Sequence, residues 1–332
     1  MSFQANASGH ESGSEEKKFN LSELVFGHIG DEYSWHLWTY EGKHVAIPLL
    51  CIVKGQEGWD VFSSSHLHEG YKNYTVSEAG KYKGKIVEKV GNEEVRPLDI
   101  SITKNVASLL FTAALMLIIF LTVAKSYKKD PIAAPKGLQA FMEPLILAID
   151  EDIAKPCIGK NYKRYSPYIL TAFFFILFSN YLGIIPFFPG GANVTGNIAV
   201  TFVLAFITFL MTNFTLNKHY WKDIFWPDVP LILKFPLPIM QFIEVLGMFT
   251  KPIALMFRLF ANMVSGHMMQ LILIGLIFAI GSVSVACGSI PLAIFMDLLE
   301  VLVCFIQAYV FAMLSSIFIG LAQPEEEEAH NK

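Results

Sequence analysis

Charge is the scarcest property of this 332-residue chain. Only 16% of its residues are Asp, Glu, Lys or Arg, against about 25% in soluble globular proteins, which argues against a water-soluble enzyme. A basic excess is missing too, with 25 Lys+Arg against 29 Asp+Glu, so no electropositive face invites nucleic acid. Cysteine is sparse: Cys51, Cys157, Cys287 and Cys304 are scattered and make no Cys-x-x-Cys pair. That spacing speaks against a metal knuckle or a disulfide-stapled scaffold. His-Glu-x-x-His, Gly-x-Ser-x-Gly and Walker Gly-Lys-Ser/Thr runs are all lacking. Nucleotide hydrolysis therefore has no seat in this chain, and neither a metal nor a cofactor is expected. What the chain has in quantity is apolar surface: 53% hydrophobic residues, 28 Phe and 12 Tyr, with a mean hydropathy of +0.46. The reading is an integral membrane protein, its partner surface the lipid bilayer.

The few charges are segregated. Asn105 to Ala124 is an uncharged run of 20 residues; at 1.5 Å per residue a helix of that length spans about 30 Å, the thickness of a bilayer core. Between Arg164 and Lys218 lie 53 uncharged residues, enough for two spans joined at Pro186-Phe187-Phe188-Pro189-Gly190-Gly191, a cluster that no helix tolerates. From Phe235 to Ala322 the chain is apolar again, broken by Gly281-Ser282, Gly288-Ser289 and Pro291. Two long helices, roughly 237–281 and 290–321, are predicted there as a tilted antiparallel hairpin. The predicted fold is thus mainly α and polytopic, with five membrane-embedded helices. The segment 125–164 holds eight Lys/Arg, the loop at 186–193 none and the loop at 218–236 three. Positive charge stays on the cytoplasmic side, so the amino terminus is expected outside and the carboxyl terminus inside, as in a bacterial inner membrane protein. Five spans give the same answer by parity.

The remaining segments divide as follows. Residues 1–19 are polar and read as disordered; Ala5-Asn6-Ala7 resembles a signal-peptidase site, but with no apolar run ahead of it, which suggests a start upstream. Residues 20–104 read as an extracytoplasmic, β-rich region, with Trp-, Val- and Tyr-bearing runs over 33–95 between Gly-containing turns. His66-x-His68 within it reads as a solvated pair rather than a metal site. Residues 105–124 form the first span. The cytoplasmic segment 125–164 contains an amphipathic stretch, Lys136 to Ile153, predicted to be a helix on the membrane face. Residues 165–322 form a four-helix membrane domain, and 323–332 a solvated acidic tail.

Six ionisable residues stand inside the last two helices: Glu244, Lys251, Arg258, His267, Asp297 and Glu300. Each costs about 2.5–3.5 kcal/mol at mid-membrane on insertion scales, so each must face protein or water. Glu244, Lys251 and Arg258 are seven residues apart and share a stripe, with Asn262 one turn beyond. His267, nine residues past Arg258, turns to the opposite side. In an antiparallel hairpin that turns near residue 283, Arg258 lies level with Gln307 and His267 with Glu300. The pattern predicts a polar path: an imidazole–carboxylate couple toward the outside and an arginine–amide pair near the middle. Imidazole is suited to proton exchange near neutral pH, and a neighbouring carboxyl can share the proton. A secondary proton-coupled transporter or channel is the alternative, but neither an internal repeat nor paired broken helices are visible.

Lys251-Pro-Ile-Ala-Leu-Met-Phe-Arg258-Leu-Phe-Ala-Asn262-Met-Val-Ser-Gly-His267 closely resembles subunit a of rotary ATP synthases. The resemblance extends over about 131–322. It includes Glu244, Phe178-Ser179-Asn180-Tyr181-Leu182-Gly183-Ile184-Ile185-Pro186 and Gln307-Ala308-Tyr309-Val310-Phe311. It implies a non-catalytic stator subunit whose partners are a ring of c subunits, b-type peripheral stalk subunits and the other ATP synthase subunits. Arg258 would face the ring at mid-membrane. His267, Glu300, Asn262, Asn180 and Gln307 would border an outer proton half-channel, and Glu244 with Lys251 a cytoplasmic one. Asp297, one turn from Glu300, departs from the family pattern.

Overall fold

The computed structural model describes residues 30–40, 43–56, 58–67, 70–77, 82–90, 93–129, 134–185, 190–215, 239–280 and 282–322. The start predicted to be disordered, His68, the turn predicted at Pro186–Pro189, the basic loop predicted at 218–236 and the predicted acidic tail lie outside those residues.

Among the described residues eight short strands precede the first long helix. β1 (Ser34–Tyr40) pairs antiparallel with β2 (Lys43–Pro48). β3 (Leu50–Gly55) lies between β4 (Gly58–Ser63) and β8 (Leu98–Asp99), and β6 (Ile86–Val90) between β5 (Tyr74–Val76) and β7 (Glu93–Val95). Period-two burial in β3 sends Cys51 and Val53 inward, where they meet Tyr33, Phe62, Leu67, Tyr74 and Ile86 in a small core. Tyr33 donates its hydroxyl to Asp99 at 2.5 Å inside that core. Burial holds the Tyr33 hydroxyl well above its ordinary pKa and the Cys51 thiol up at about 11, so both stay neutral.

α1 (Lys104–Lys129) starts on a cap: Asp31 Oδ1 accepts the Asn105 N–H at 3.1 Å, and a carboxylate suits the positive end of a helix. Leu110, Leu117, Ile118 and Leu121 on its outer side are exposed. Next comes α2 (Leu138–Leu147), a π-helical stretch (Ala148–Ala154) and α3 (Lys155–Ile158). Met142, Ile149, Ile153 and Ile158 point into the main core, while Phe141 and Leu147 face outward. The amphipathic segment is therefore clamped between protein on one side and an outer apolar surface on the other. α4 (Tyr162–Ile184), α5 (Ile198–Thr215), α6 (Ile239–Ile280) and α7 (Val283–Leu321) follow.

Among the described residues four helical stretches are long and apolar enough to cross a membrane: Lys104–Lys129, Leu138–Ile184, Val245–Ile280 and Ser284–Leu321. The shorter apolar helix Ile198–Asn213 stands beside them. The hairpin turn is tighter than predicted. α7 begins at Val283 rather than near 290, and carries Gly288 and Pro291 inside the helix. In hydrocarbon a broken helix leaves backbone groups with no water to bond, so a proline that forfeits one hydrogen bond is tolerated where a loop is not.

α7 packs on both α4 and α6. Its inner side is built of small residues, Ala308, Ala312, Ser315 and Ser316, all fully buried, and small residues let helix backbones approach closely in a membrane. Large side chains on α4 fill the space: Phe173 meets Phe174 and Phe305 edge-on at 5.0 and 6.1 Å. At the end of α7, Gly320 lies against the Cys157 carbonyl of α3, with no room for a Cβ. Gly320→Ala is therefore expected to lower the thermal midpoint of the detergent-solubilised protein, whereas Gly288→Ala, where a Cβ meets nothing within 4 Å, leaves it unchanged; equal midpoints would refute this close approach.

Candidate functional site

α6 and α7 run antiparallel, and the register between them is legible from four contacts. Asn262 Nδ2 donates to Gln307 Oε1 at 2.7 Å. Cys304 Sγ lies 3.8 Å from Met263 Sδ. A Cβ on Gly266 would meet Glu300 Oε1 at 2.9 Å. His267 Nδ1 stands 3.8 Å from the same oxygen. The predicted His267–Glu300 level is thus present. The predicted arginine–amide pair is shifted by one turn: the amide of Gln307 takes Asn262 as its partner, and Arg258 lies one turn further along α6.

The two sides of α6 differ sharply. His267 has 15% of its side chain exposed and Glu300 7%, while Arg258 is exposed, and among the described residues it makes no hydrogen bond or ion pair. Around Arg258 the exposed positions are Ala254, Ala261, Asn262 and Ser265. Small residues flanking a bare cation leave a flat strip on which another helix can come close. Exposed Phe257 and Ile253 lie beside this strip.

The His267–Glu300 couple is buried under α4 and the loop that follows it. Gly183 of α4 leaves space for the imidazole: a Cβ there would sit 3.6 Å from His267 Nε2. At 3.8 Å the Nδ1–carboxylate contact is an ion-pair distance rather than a hydrogen bond, and one bridging water or a small rotation completes it. Asp297, one turn nearer the hairpin bend on α7, has a buried Oδ1 with no hydrogen-bond partner among the described residues. A half-buried acid with one such enclosed oxygen is suited to binding water or a proton.

Sequence reading missed the contribution of the α4–α5 loop. Ala192, Val194 and Thr195 are buried. Asn193 Nδ2 donates to the Met263 carbonyl at 3.3 Å, and its Oδ1 accepts the Gly196 N–H at 2.7 Å. Thr195 Oγ1 donates to Asn180 Oδ1 at 2.7 Å, so Asn180, fully buried on α4, is joined to this loop. The signal was Asn193-Val-Thr195-Gly-Asn197, a polar cluster inside the 53-residue uncharged run. Trp35 Nε1 donates to the Gly190 carbonyl at 3.2 Å. The strand region, the start of α1 and the α4–α5 loop therefore share one end of the molecule, the end nearer His267.

At the other end, Lys251 is half-buried with its ammonium 5.7 Å from the Phe318 ring centroid. It lines a small pocket with Thr208, Thr212 and Asn213 of α5. The side chain of Glu244 lies outside the described residues. His66 stands apart from all of this, its ring 6.0 Å from that of Tyr71.

Comparison with known proteins adds independent findings. The family model described as ATP synthase A chain matches residues 106–320, and a second model, described as a domain of unknown function, matches residues 24–105. The chain is 44% identical to ATP synthase subunit a of Chlorobium phaeobacteroides, over 70% of this chain and 68% of that one. It is 46% identical to ATP synthase subunit a 2 of Chlorobaculum tepidum, over 69% and 65%. It is 37% identical to ATP synthase subunit a of an Anaeromyxobacter species, over 98% and 76%.

The register has a direct chemical test. Met263→Cys places a second thiol opposite Cys304, and mild oxidation is expected to link α6 to α7, read as a disulfide-bonded peptide by mass spectrometry. Failure to form the link, with Ala261→Cys as the outward-facing control, would refute the register.

Proposed function

The chain belongs to the ATP synthase A chain family, and on that premise we propose that it couples transmembrane proton flow to rotation of a c-subunit ring through two half-channels separated by Arg258. As a stator subunit of an ATP synthase it is an integral membrane protein with other ATP synthase subunits as partners. The observation that carries the finer reading is the split character of α6. On one side Arg258 stands bare on a strip of small residues; on the other, His267 and Glu300 are buried together against α7 and α4.

The ring docks on the Arg258 strip. Each c subunit carries a carboxyl group that must be neutral while it faces lipid, because its charge there is costly. Beside the Arg258 guanidinium the ionised form is favoured, and the proton leaves. The guanidinium itself keeps its proton, so protons do not hop across it. They pass instead by way of the ring, almost a full turn from one half-channel to the other.

The outer half-channel opens on the side of the strand region and the α4–α5 loop. Asp297, Glu300 and His267 step inward along it, with Asn180 and Asn193 on its wall, and Asn262 with Gln307 at its inner end. His267 lies nine residues beyond Arg258, a rise of about 13 Å, which separates the imidazole–carboxylate level from that of the guanidinium. Lys251 and Glu244 border the cytoplasmic half-channel, lined further by Thr208, Thr212 and Asn213. Five embedded segments, with α5 as the short one, put the amino terminus outside and the carboxyl terminus inside. The strand region then lies on the extracytoplasmic side of a bacterial inner membrane, and b-type stalk subunits complete the stator.

Arg258→Ala is expected to abolish proton-driven ATP synthesis in inverted membrane vesicles while the complex still assembles, and Arg258→Lys to restore only part of it. Synthesis at the parental rate in Arg258→Ala would overturn the proposal. His267→Leu and Glu300→Leu are each expected to slow turnover about tenfold or more with passive proton leak unchanged, since each removes one exchange site from an aqueous path. A large uncoupled leak in either would mean that the pair seals the membrane instead.

A further inference from the structure

The strand region has two apolar sides, although a sheet facing water needs only one. In the β4–β3–β8 sheet, Lys54 is level with Trp59 and Leu98, and Ile52 with Val61. The ladder continues through Ile100 N to Ile52 O and Ile102 N to Leu50 O, each at 2.9 Å. Residues level with each other in a sheet share a side. One side is therefore Leu50, Ile52, Trp59, Val61, Leu98 and Ile100; the other carries Cys51, Val53 and Phe62 into the small core. Of the first set, Trp59, Val61, Leu98 and Ile100 are 56–60% exposed. Among the described residues the charge on this side is Lys54, whose Nζ lies 5.7 Å from the Trp59 ring centroid.

We propose that this sheet face rests on the surface of the same bilayer that α1 enters, its apolar residues at the boundary between headgroups and acyl chains. Lys54 reaches from its rim to lipid phosphate. The reading does not depend on which side of the membrane the strand region occupies, nor on the path of the proton.

Three observations favour lipid over a protein partner. The first is continuity. Ile102, the last ladder residue, stands two positions before Lys104, where α1 begins, and the Lys104 N–H is bonded back to the Glu32 carbonyl at 2.9 Å. Leu98 is six residues from Lys104, which an extended chain covers in about 20 Å at most, so the whole patch lies within reach of the interface. The second is size. Leu50, Trp59, Val61, Leu98 and Ile100, each about half exposed, present a few hundred Å² of accessible apolar surface, below the ~800 Å² per partner of a stable protein interface. The third is composition. Trp is enriched at membrane interfaces, and Lys extends its ammonium from an apolar stem toward headgroups. Among the described residues no acidic side chain shares the face to oppose that contact.

The test is a nitroxide at Val61→Cys, in a Cys287→Ser background that removes the exposed native thiol. The assembled complex is reconstituted in phosphatidylcholine–phosphatidylglycerol vesicles, and the signal of the parent without the added cysteine is subtracted. Collision with dissolved oxygen, which concentrates in lipid, is compared with collision with a water-soluble nickel chelate. Oxygen accessibility several-fold above nickel accessibility is expected, and Leu98→Cys is expected to give the same ratio. Nickel accessibility equal to or above that of oxygen would mean that the face is in water, and protection from both that a protein subunit covers it; either result overturns the proposal. Proton-driven synthesis in the same vesicles is read separately, so loss of the platform and loss of the proton path are distinguishable.

Discussion

A charged group in hydrocarbon is tolerated only when something other than lipid surrounds it, and the antiparallel contact of α6 with α7 is the device that meets this demand. With that register in place, Asn262 reaches Gln307, and His267 and Glu300 meet beneath α4. A slide of one turn would carry the Glu300 carboxyl away from the space that Gly266 leaves for it, where even a Cβ would come within 2.9 Å. Arg258 is left outside this arrangement, exposed among small residues. Within a membrane that is an incomplete surface, which accounts physically for why such a chain belongs in a larger assembly.

Packing on the inner and outer sides of the helices follows different rules. Inside, α7 offers Ala308, Ala312, Ser315 and Ser316 to the aromatic side chains of α4, and closeness of backbone replaces the hydrophobic drive that is lost when the surroundings are also apolar. Outside, α1 exposes Leu117, Ile118 and Leu121, residues that suit lipid and need no partner. The polar side chains sit where these regimes meet, under the α4–α5 loop, whose Asn193 and Thr195 tie α6 to α4.

The strand region is latched to the membrane domain rather than merely tethered. Trp35 bonds the loop after α4, and Asp31 caps α1. These two contacts bring a small sheet, its inner core and its apolar outer face to the same end of the molecule as His267. Whatever the sheet rests on, it cannot swing far from the point where the chain meets the membrane.

Much was legible in the sequence because a bilayer imposes strict length and charge rules on a chain. The uncharged runs predicted helices close to those found, and the seven-residue steps among Glu244, Lys251 and Arg258 with the nine-residue step on to His267 predicted two sides of one helix. Periodicity says which way a residue points on its own helix, and for these residues that was enough. Less was legible wherever the answer depended on two elements at once. The shift of Gln307 from Arg258 to Asn262 reflects how two helices lie against each other, which no single stretch of residues specifies. The inclusion of Pro291 within α7 depends on the surroundings of the helix rather than on the residue itself. The descent of the α4–α5 loop onto Met263 required a third element to be in place before its polar residues acquired partners. The double-sided apolar sheet emerged only when the register of β3, β4 and β8 brought residues distant in sequence onto one face. Sequence by itself determined the class of protein and the ionisable residues its long helices carry, because those follow from composition and spacing; tertiary structure alone decided which of them meet, because contact distances are set by the packing of one element on another.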